Sequence, residues 1–80
     1  MRKPDEYILV NNIRVHRFHN GEMTQSDLAK AVDVSRQTII AIEKGRFNPS
    51  VLLSMKIARL FGCRVDDIFK IVIMEEDKDE

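Results

Sequence analysis

Between residues 24 and 46, apolar side chains recur at intervals of three and four. Leu28, Ala29 and Val32 form one set, Val34 stands alone, and Ile39 and Ile42 form a second. That spacing puts each set on one face of a helix and predicts two short helices joined by a tight turn. The polar residues at the edges agree. The Thr24 hydroxyl can accept from the backbone N–H of Asp27, whose carboxylate sits in a first turn where the helix dipole favours an anion. Asp33 ends the first helix with a residue type that tolerates a left-handed backbone. Ser35 is a second N-cap, and Lys44-Gly45 closes the second helix.

The pattern continues on both sides. Asn11 or Asn12 can cap a first helix to about His19, with Ile13 and Phe18 facing inward and Asn20-Gly21 ending it. Asn48-Pro49 is a turn, and Ser50 caps a fourth helix from Val51 to Phe61, closed by Gly62. Leu52, Leu53, Met55, Ile57, Ala58, Leu60 and Phe61 exceed one narrow stripe, so this helix is read as central. A short fifth helix, Val65 to Phe69, places Val65, Ile68 and Phe69 over it. At the ends, Tyr7-Ile8-Leu9-Val10 and Ile71-Val72-Ile73-Met74 read as strands, about 6–10 and 70–74. An isolated two-stranded pair is marginal in water. The strands are therefore expected to pair with each other and, through Ile71, Val72 and Ile73, with a second chain across a two-fold axis. The plainer alternative is that Ile71 and Ile73 pack on the chain's own helices.

The outer face of the second helix of the unit carries Arg36, Gln37, Thr38, Ile40, Ala41 and Lys44. An exposed helix face is polar in any fold, but these residue types suit base edges. Gln can bond adenine bidentately, Arg can bond guanine O6 and N7, and Ala or a Thr methyl can touch the thymine methyl. Spacing alone leaves DNA reading and a generic helical hairpin equally open.

Thr24-Gln25, Leu28-Ala29, Val32, Val34 to Ile39, Ile42-Glu43, Gly45 and Asn48-Pro49-Ser50 together resemble the lambda repressor-like, Cro/C1-type (Xre) helix-turn-helix family. The similarity runs from about Ile13 to Phe69 and is strongest to its short, stand-alone regulators. The resemblance implies an all-α, five-helix lambda repressor-like DNA-binding domain, here with short terminal β-strands that can pair in a dimer, and a third helix lying in the major groove. It implies base contacts from Arg36, Gln37, Ile40 and Ala41, with Gln37 the first choice. Phosphate contacts would come from Thr24, Gln25, Ser35, Thr38, Lys44 and Arg46, and from Arg17, with Arg14 beside it, on the first helix. Two positions depart from the family pattern: Asp33 stands where the turn usually carries Gly, and Arg64 where the fifth helix usually has a Ser or Thr cap. The loop His19 to Met23 is one residue longer than the commonest form.

Charge sharpens the picture. The chain of 80 residues has 13 bases and 13 acids, a net charge of zero that on its own argues against a nucleic-acid partner. Residues 75–80, EEDKDE, hold five of the acids and one base, leaving residues 1–74 at +4. The expected organisation is one helix-turn-helix domain over 1–74, with the reading unit at 24–45 and an acidic tail at 75–80. That tail is either simply solvated or a competitor for the basic face. No 18-residue apolar run or signal-peptide pattern is present, so a cytoplasmic protein without a membrane partner is expected.

Other chemistry is thin. His16 and His19 lack a third ligand at suitable spacing, and Cys63 reads as a small packed residue, so no metal and no cofactor are expected. No nucleophile elbow, glycine-rich phosphate loop or paired-carboxylate motif frames an active site, and no enzyme is expected. The function read here is a DNA-binding transcription regulator, a homodimeric repressor whose partner is double-stranded DNA. The alternative is an antitoxin that silences a protein partner and regulates its own gene, for which only the apolar ends offer a docking surface.

Overall fold

A computed structural model describes residues 6–74; the acidic tail lies outside them. The order is β1 (Glu6–Asn11), α1 (Ile13–His19), α2 (Gln25–Val32), α3 (Arg36–Glu43), α4 (Val51–Phe61), α5 (Val65–Ile68) and β2 (Phe69–Met74). Five helices and two terminal strands match the expectation, and the strands pair antiparallel from Glu6 opposite Met74 to Asn11 opposite Phe69.

Local chemistry sets the helix ends. Thr24 and Asp27 form a reciprocal cap: the Thr24 hydroxyl accepts from Asp27 N at 2.9 Å, and the Asp27 carboxylate accepts from Thr24 N at 3.1 Å. The bond from the Thr24 backbone, and secondarily that from its side chain, holds the Asp27 carboxyl below the usual range. Ser35 and Ser50 accept from Thr38 N and Leu53 N in the same way. Arg64 has no capping side chain, but the Asp67 carboxylate accepts from Arg64 N at 2.9 Å and supplies half of the missing cap from the other side. At the first helix the N-cap position is Asn12, whose side chain makes no capping bond, and Asn11 Oδ1 accepts from Ile13 N at 3.1 Å instead.

Asp33 adopts the left-handed conformation, φ 63° and ψ 51°. Val34 N then donates to Ala29 O at 2.9 Å and Asp33 N to Lys30 O at 3.3 Å, the doubled bond pattern of a helix that ends in a left-handed residue. A side chain in that region is strained, so Asp33→Gly is expected to raise stability by about 0.5–1 kcal/mol, or several degrees in Tm for a domain this size. Thermal unfolding checks it, and an unchanged or lowered Tm would mean that the Asp side chain stabilises the turn in another way.

Ile13, Leu28, Ala29, Val32, Ile39, Ile42, Leu53, Ile57, Ala58, Ile68 and Phe69 form the buried core, with no buried polar side chain among them. Two inward assignments fail. Phe18, expected to face inward, is 63% exposed. It follows Ile13 by five residues, roughly 140° around the helix, so the core-facing side of α1 continues through His16 and Arg17 instead. The fourth helix is central only on its Leu53, Ile57 and Ala58 face; Leu52 and Met55 are 66% and 56% exposed.

Candidate nucleic-acid interface

The capping residues that start α2 and α3 also aim them. With Ile39 and Ile42 fully packed against Leu28 and Val32 in one core, the opposite face of α3 is turned outward. Arg36 and Gln37 are exposed on that face and Ile40 and Ala41 are half-buried beside them, so the four candidate base contacts share one surface. Ser35 and Thr38 sit at its leading end, their hydroxyls 3.0 Å apart and engaged with each other in the cap. Lys44 and Arg46 are exposed at its trailing end. Gly45, at φ 76°, makes that exit possible: Gly45 N donates to Ile42 O at 3.0 Å and Arg46 N to Ala41 O at 2.8 Å.

Next to this face lies an open cleft of about 620 Å³, lined by Asn11, Arg14, Arg17, Thr24, Gln25, Ser26, Arg36, Glu43 and Lys44. It faces the N-terminus of α2, whose first backbone N–H groups have no partner within the helix and favour an anion. Four cations and one carboxylate line it, and the carboxylate is already paired. Among the lining residues, Ser26 had no sequence signal, because it belongs to neither an amphipathic stripe nor a charge cluster, and Asn11 had one only as a helix cap.

Arg17 lines the cleft and also has partners within the protein: Nε donates to Glu43 Oε2 at 2.7 Å, Nη2 to Glu43 Oε1 at 3.1 Å, and Nη1 to the Met23 carbonyl at 2.9 Å. The side chains of Arg17 and Glu43 are only 13% and 11% exposed. Planar guanidinium and carboxylate match as a two-pronged pair. Gln25 Nε2 donates to Glu43 Oε1 at 3.2 Å, so one carboxylate ties α1, the start of α2 and the end of α3 together. Glu43 enters the sequence reading only as part of the family pattern, with no role given; its further signal is an acid at the C-terminal end of a helix, where the dipole disfavours it.

The remaining titratable groups do other things. The His16 ring stacks on Phe61 at 5.4 Å and serves packing. Burial, and then the Asp67 charge, push the Cys63 thiol up, away from the thiolate. No three His, Cys, Asp or Glu side chains among the described residues are grouped to hold a metal ion, and no helix among them is long and apolar enough to cross a membrane.

Comparison with known proteins matches this arrangement. Residues 20–68 fit the helix-turn-helix family model. The chain is 52% identical over 69 residues to an uncharacterized HTH-type transcriptional regulator of Methanocaldococcus jannaschii, MJ0272, covering 85% of this chain and 97% of that one. Among solved structures it is similar to the clp gene regulator ClgR of Corynebacterium glutamicum, at 31% identity and a TM-score of 0.63, over 69% of this chain and 57% of that one. A crystallised protein of Bacteroides fragilis shares the fold at a TM-score of 0.68 and 22% identity, over 79% of this chain and all of its own, 100%.

Proposed function

Because the chain belongs to the Cro/C1-type helix-turn-helix family of DNA-binding transcriptional regulators, we propose that its residues 1–74 act as one domain that dimerises, reads an inverted repeat and represses by occupying it. The observation that carries this is the juxtaposition of the outward Arg36, Gln37, Ile40 and Ala41 face with the basic cleft at the start of α2. The face supplies the groups that distinguish bases, and the cleft supplies an anchor for the neighbouring phosphate. In this reading Thr24, Gln25, Ser35, Thr38, Lys44 and Arg46 hold the backbone, joined by Arg14.

The dimer rests on the terminal ribbon. Ile71 is 66%, Val72 41% and Ile73 50% exposed, with Tyr7 at 67% and Ile8 and Val10 each at 39%. Both faces of a two-stranded ribbon are thus apolar, which favours burial by a partner. Asn12 N donates to Ile68 O at 3.0 Å, in the same register as the strands. Hydrogen-bonded pairs therefore fall on the even-numbered residues, and the free edge of β2 offers the backbone groups of Ile71 and Ile73. A second copy adding its own β2 there would make a four-stranded sheet and relate two α3 helices by a two-fold axis, as an inverted repeat requires.

Selection of bound sites from random DNA is the direct test. On the selected site, Gln37→Ala is expected to lose about 1–3 kcal/mol of discrimination at one base pair, and Lys44→Ala to weaken all sequences alike while lowering the salt slope by about one. A Gln37→Ala protein with unaltered sequence preference would move base readout to another residue, and selection that returns no preferred sequence would sink the regulator reading.

The alternative reading, a partner-binding antitoxin, needs an apolar docking surface, and α4 with the start of α5 forms a groove lined by Leu52, Met55, Lys56, Ala58, Arg59, Cys63 and Val65. A stoichiometric protein partner displaced by Leu52→Glu would favour that reading; a free homodimer with its own DNA site favours the regulator.

A further inference from the structure

The ribbon that would carry dimerisation and the helix that would read DNA meet at one side chain. Asn11 is the last residue of β1 and half-buried. Its Oδ1 accepts from Ile13 N at 3.1 Å, and its Nδ2 donates to the Ile42 carbonyl at 2.9 Å. Ile42 lies in the last turn of α3, and its carbonyl also accepts from Gly45 N, so the Asn11 amide grips the recognition helix at its exit. Among the described residues this is the one hydrogen bond between the ribbon and α3. Beside it, an open cleft of about 290 Å³, lined by Ile8, Leu9, Val10, Asn11 itself, Glu43, Lys44 and Gly45, lies between the two elements. Next door, Asn12 fastens the same end of the ribbon to α5, through its N–H to Ile68 O at 3.0 Å and its Nδ2 to Asp67 O at 3.1 Å.

We infer that Asn11 is a positioning residue that sets the angle between ribbon and recognition helix, and thereby the half-site spacing that the protein accepts. The inference rests on the homodimer reading above. An amide is the side-chain group that accepts from one backbone and donates to another at once. Aspartate in its place keeps the acceptor for Ile13 and loses the donor for Ile42. Serine also keeps an acceptor and is too short to span to α3.

The lever makes a small angle matter. Five residue steps from Asn11 to Glu6 span ~17 Å of strand, so a swing of ~10° at the joint displaces one end relative to the other by ~3 Å. Successive base pairs are ~3.4 Å apart, since a turn of about 10 pairs spans ~34–36 Å. A spacer changed by one pair also turns one half-site by about 35° around the DNA axis. A joint loosened in bend and twist in each protomer therefore lowers the penalty for an operator one base pair longer or shorter. A firm joint rejects it.

The experiment measures binding of the wild-type protein, Asn11→Asp and Asn11→Ser by fluorescence anisotropy. The duplexes are the selected inverted repeat, the same repeat with its central spacer lengthened or shortened by one base pair, and a single half-site. With each protein's repeat affinities taken relative to its own half-site affinity, because Asn11 also lines the basic cleft, wild type is expected to prefer the native spacer by about 10-fold or more and both variants by no more than about threefold. Undiminished spacer preference in the variants overturns the inference. So does an equal loss on every duplex, half-site included, which leaves spacer preference intact and makes Asn11 a residue of the phosphate cleft or of stability alone. A wild-type protein that binds one half-site as tightly as any repeat removes the dimer reading itself.

Discussion

Glu43→Ala is expected to destabilise the folded chain by about 3 kcal/mol and to lower Tm by on the order of 15 °C. The carboxylate accepts from Arg17 Nε at 2.7 Å, Arg17 Nη2 at 3.1 Å and Gln25 Nε2 at 3.2 Å. Deleting it leaves a guanidinium that is 13% exposed facing an amide donor, with no anion between them. A buried pair broken on one side costs about 3–5 kcal/mol, because the remaining charge is desolvated and unpaired. The adjoining cleft admits water, which puts the cost at the lower end. A domain of this length has roughly 4–12 kcal/mol of total stability, so the loss is a large share of it. Glu43→Gln, which keeps acceptor capacity without the charge, should fall between the two. Denaturant titration reads all three proteins. A cost for Glu43→Ala below about 1 kcal/mol would show that the pair is solvated and contributes as a surface ion pair does.

Gln25→Glu is expected to reduce DNA affinity on the order of 100-fold on every sequence, about 2.7 kcal/mol, and to lower stability by about 1–3 kcal/mol through the lost Gln25–Glu43 hydrogen bond. Gln25 opens α2 and lines the basic cleft where a phosphate would sit. A carboxylate of nearly the same shape removes the donor and places a negative charge against both the phosphate and Glu43. The helix itself tolerates the change, since an acid in the first turn interacts favourably with the dipole. Binding and folding are therefore measured apart for that variant. Anisotropy with the selected site and with unrelated DNA reads the first, and thermal unfolding the second. A loss confined to the selected sequence would show that Gln25 reads a base, and retained affinity would move the phosphate anchor out of the cleft.

The helix-turn-helix unit was legible because its determinants are local. Thr24 with Asp27, Ser35 with Thr38 and Ser50 with Leu53 satisfy backbone groups three residues away. The Leu28, Val32, Ile39 and Ile42 stripe declares its own buried face through the helical period. The strands at both ends were legible from β-branched runs, and their register follows once they pair. The same reasoning erred where periodicity was followed loosely, as at Phe18, whose position on α1 points away from Ile13. It also erred where apolar count was taken for burial, as at Leu52 and Met55.

What the sequence determined by itself, then, is the set of elements, their caps and the outward position of Arg36 and Gln37, because each depends on spacings of a few residues along one chain direction. What only the tertiary structure decided is the use of Arg17, Gln25, Glu43 and Asn11. Their bonds join residues 26, 18 and 31 apart in sequence, between elements whose relative placement comes from core packing. A guanidinium on α1 has the same local surroundings whether it reaches for a phosphate or for a carboxylate on α3. The choice is made by which of them the packed helices bring within hydrogen-bond distance, and no short-range pattern encodes that distance.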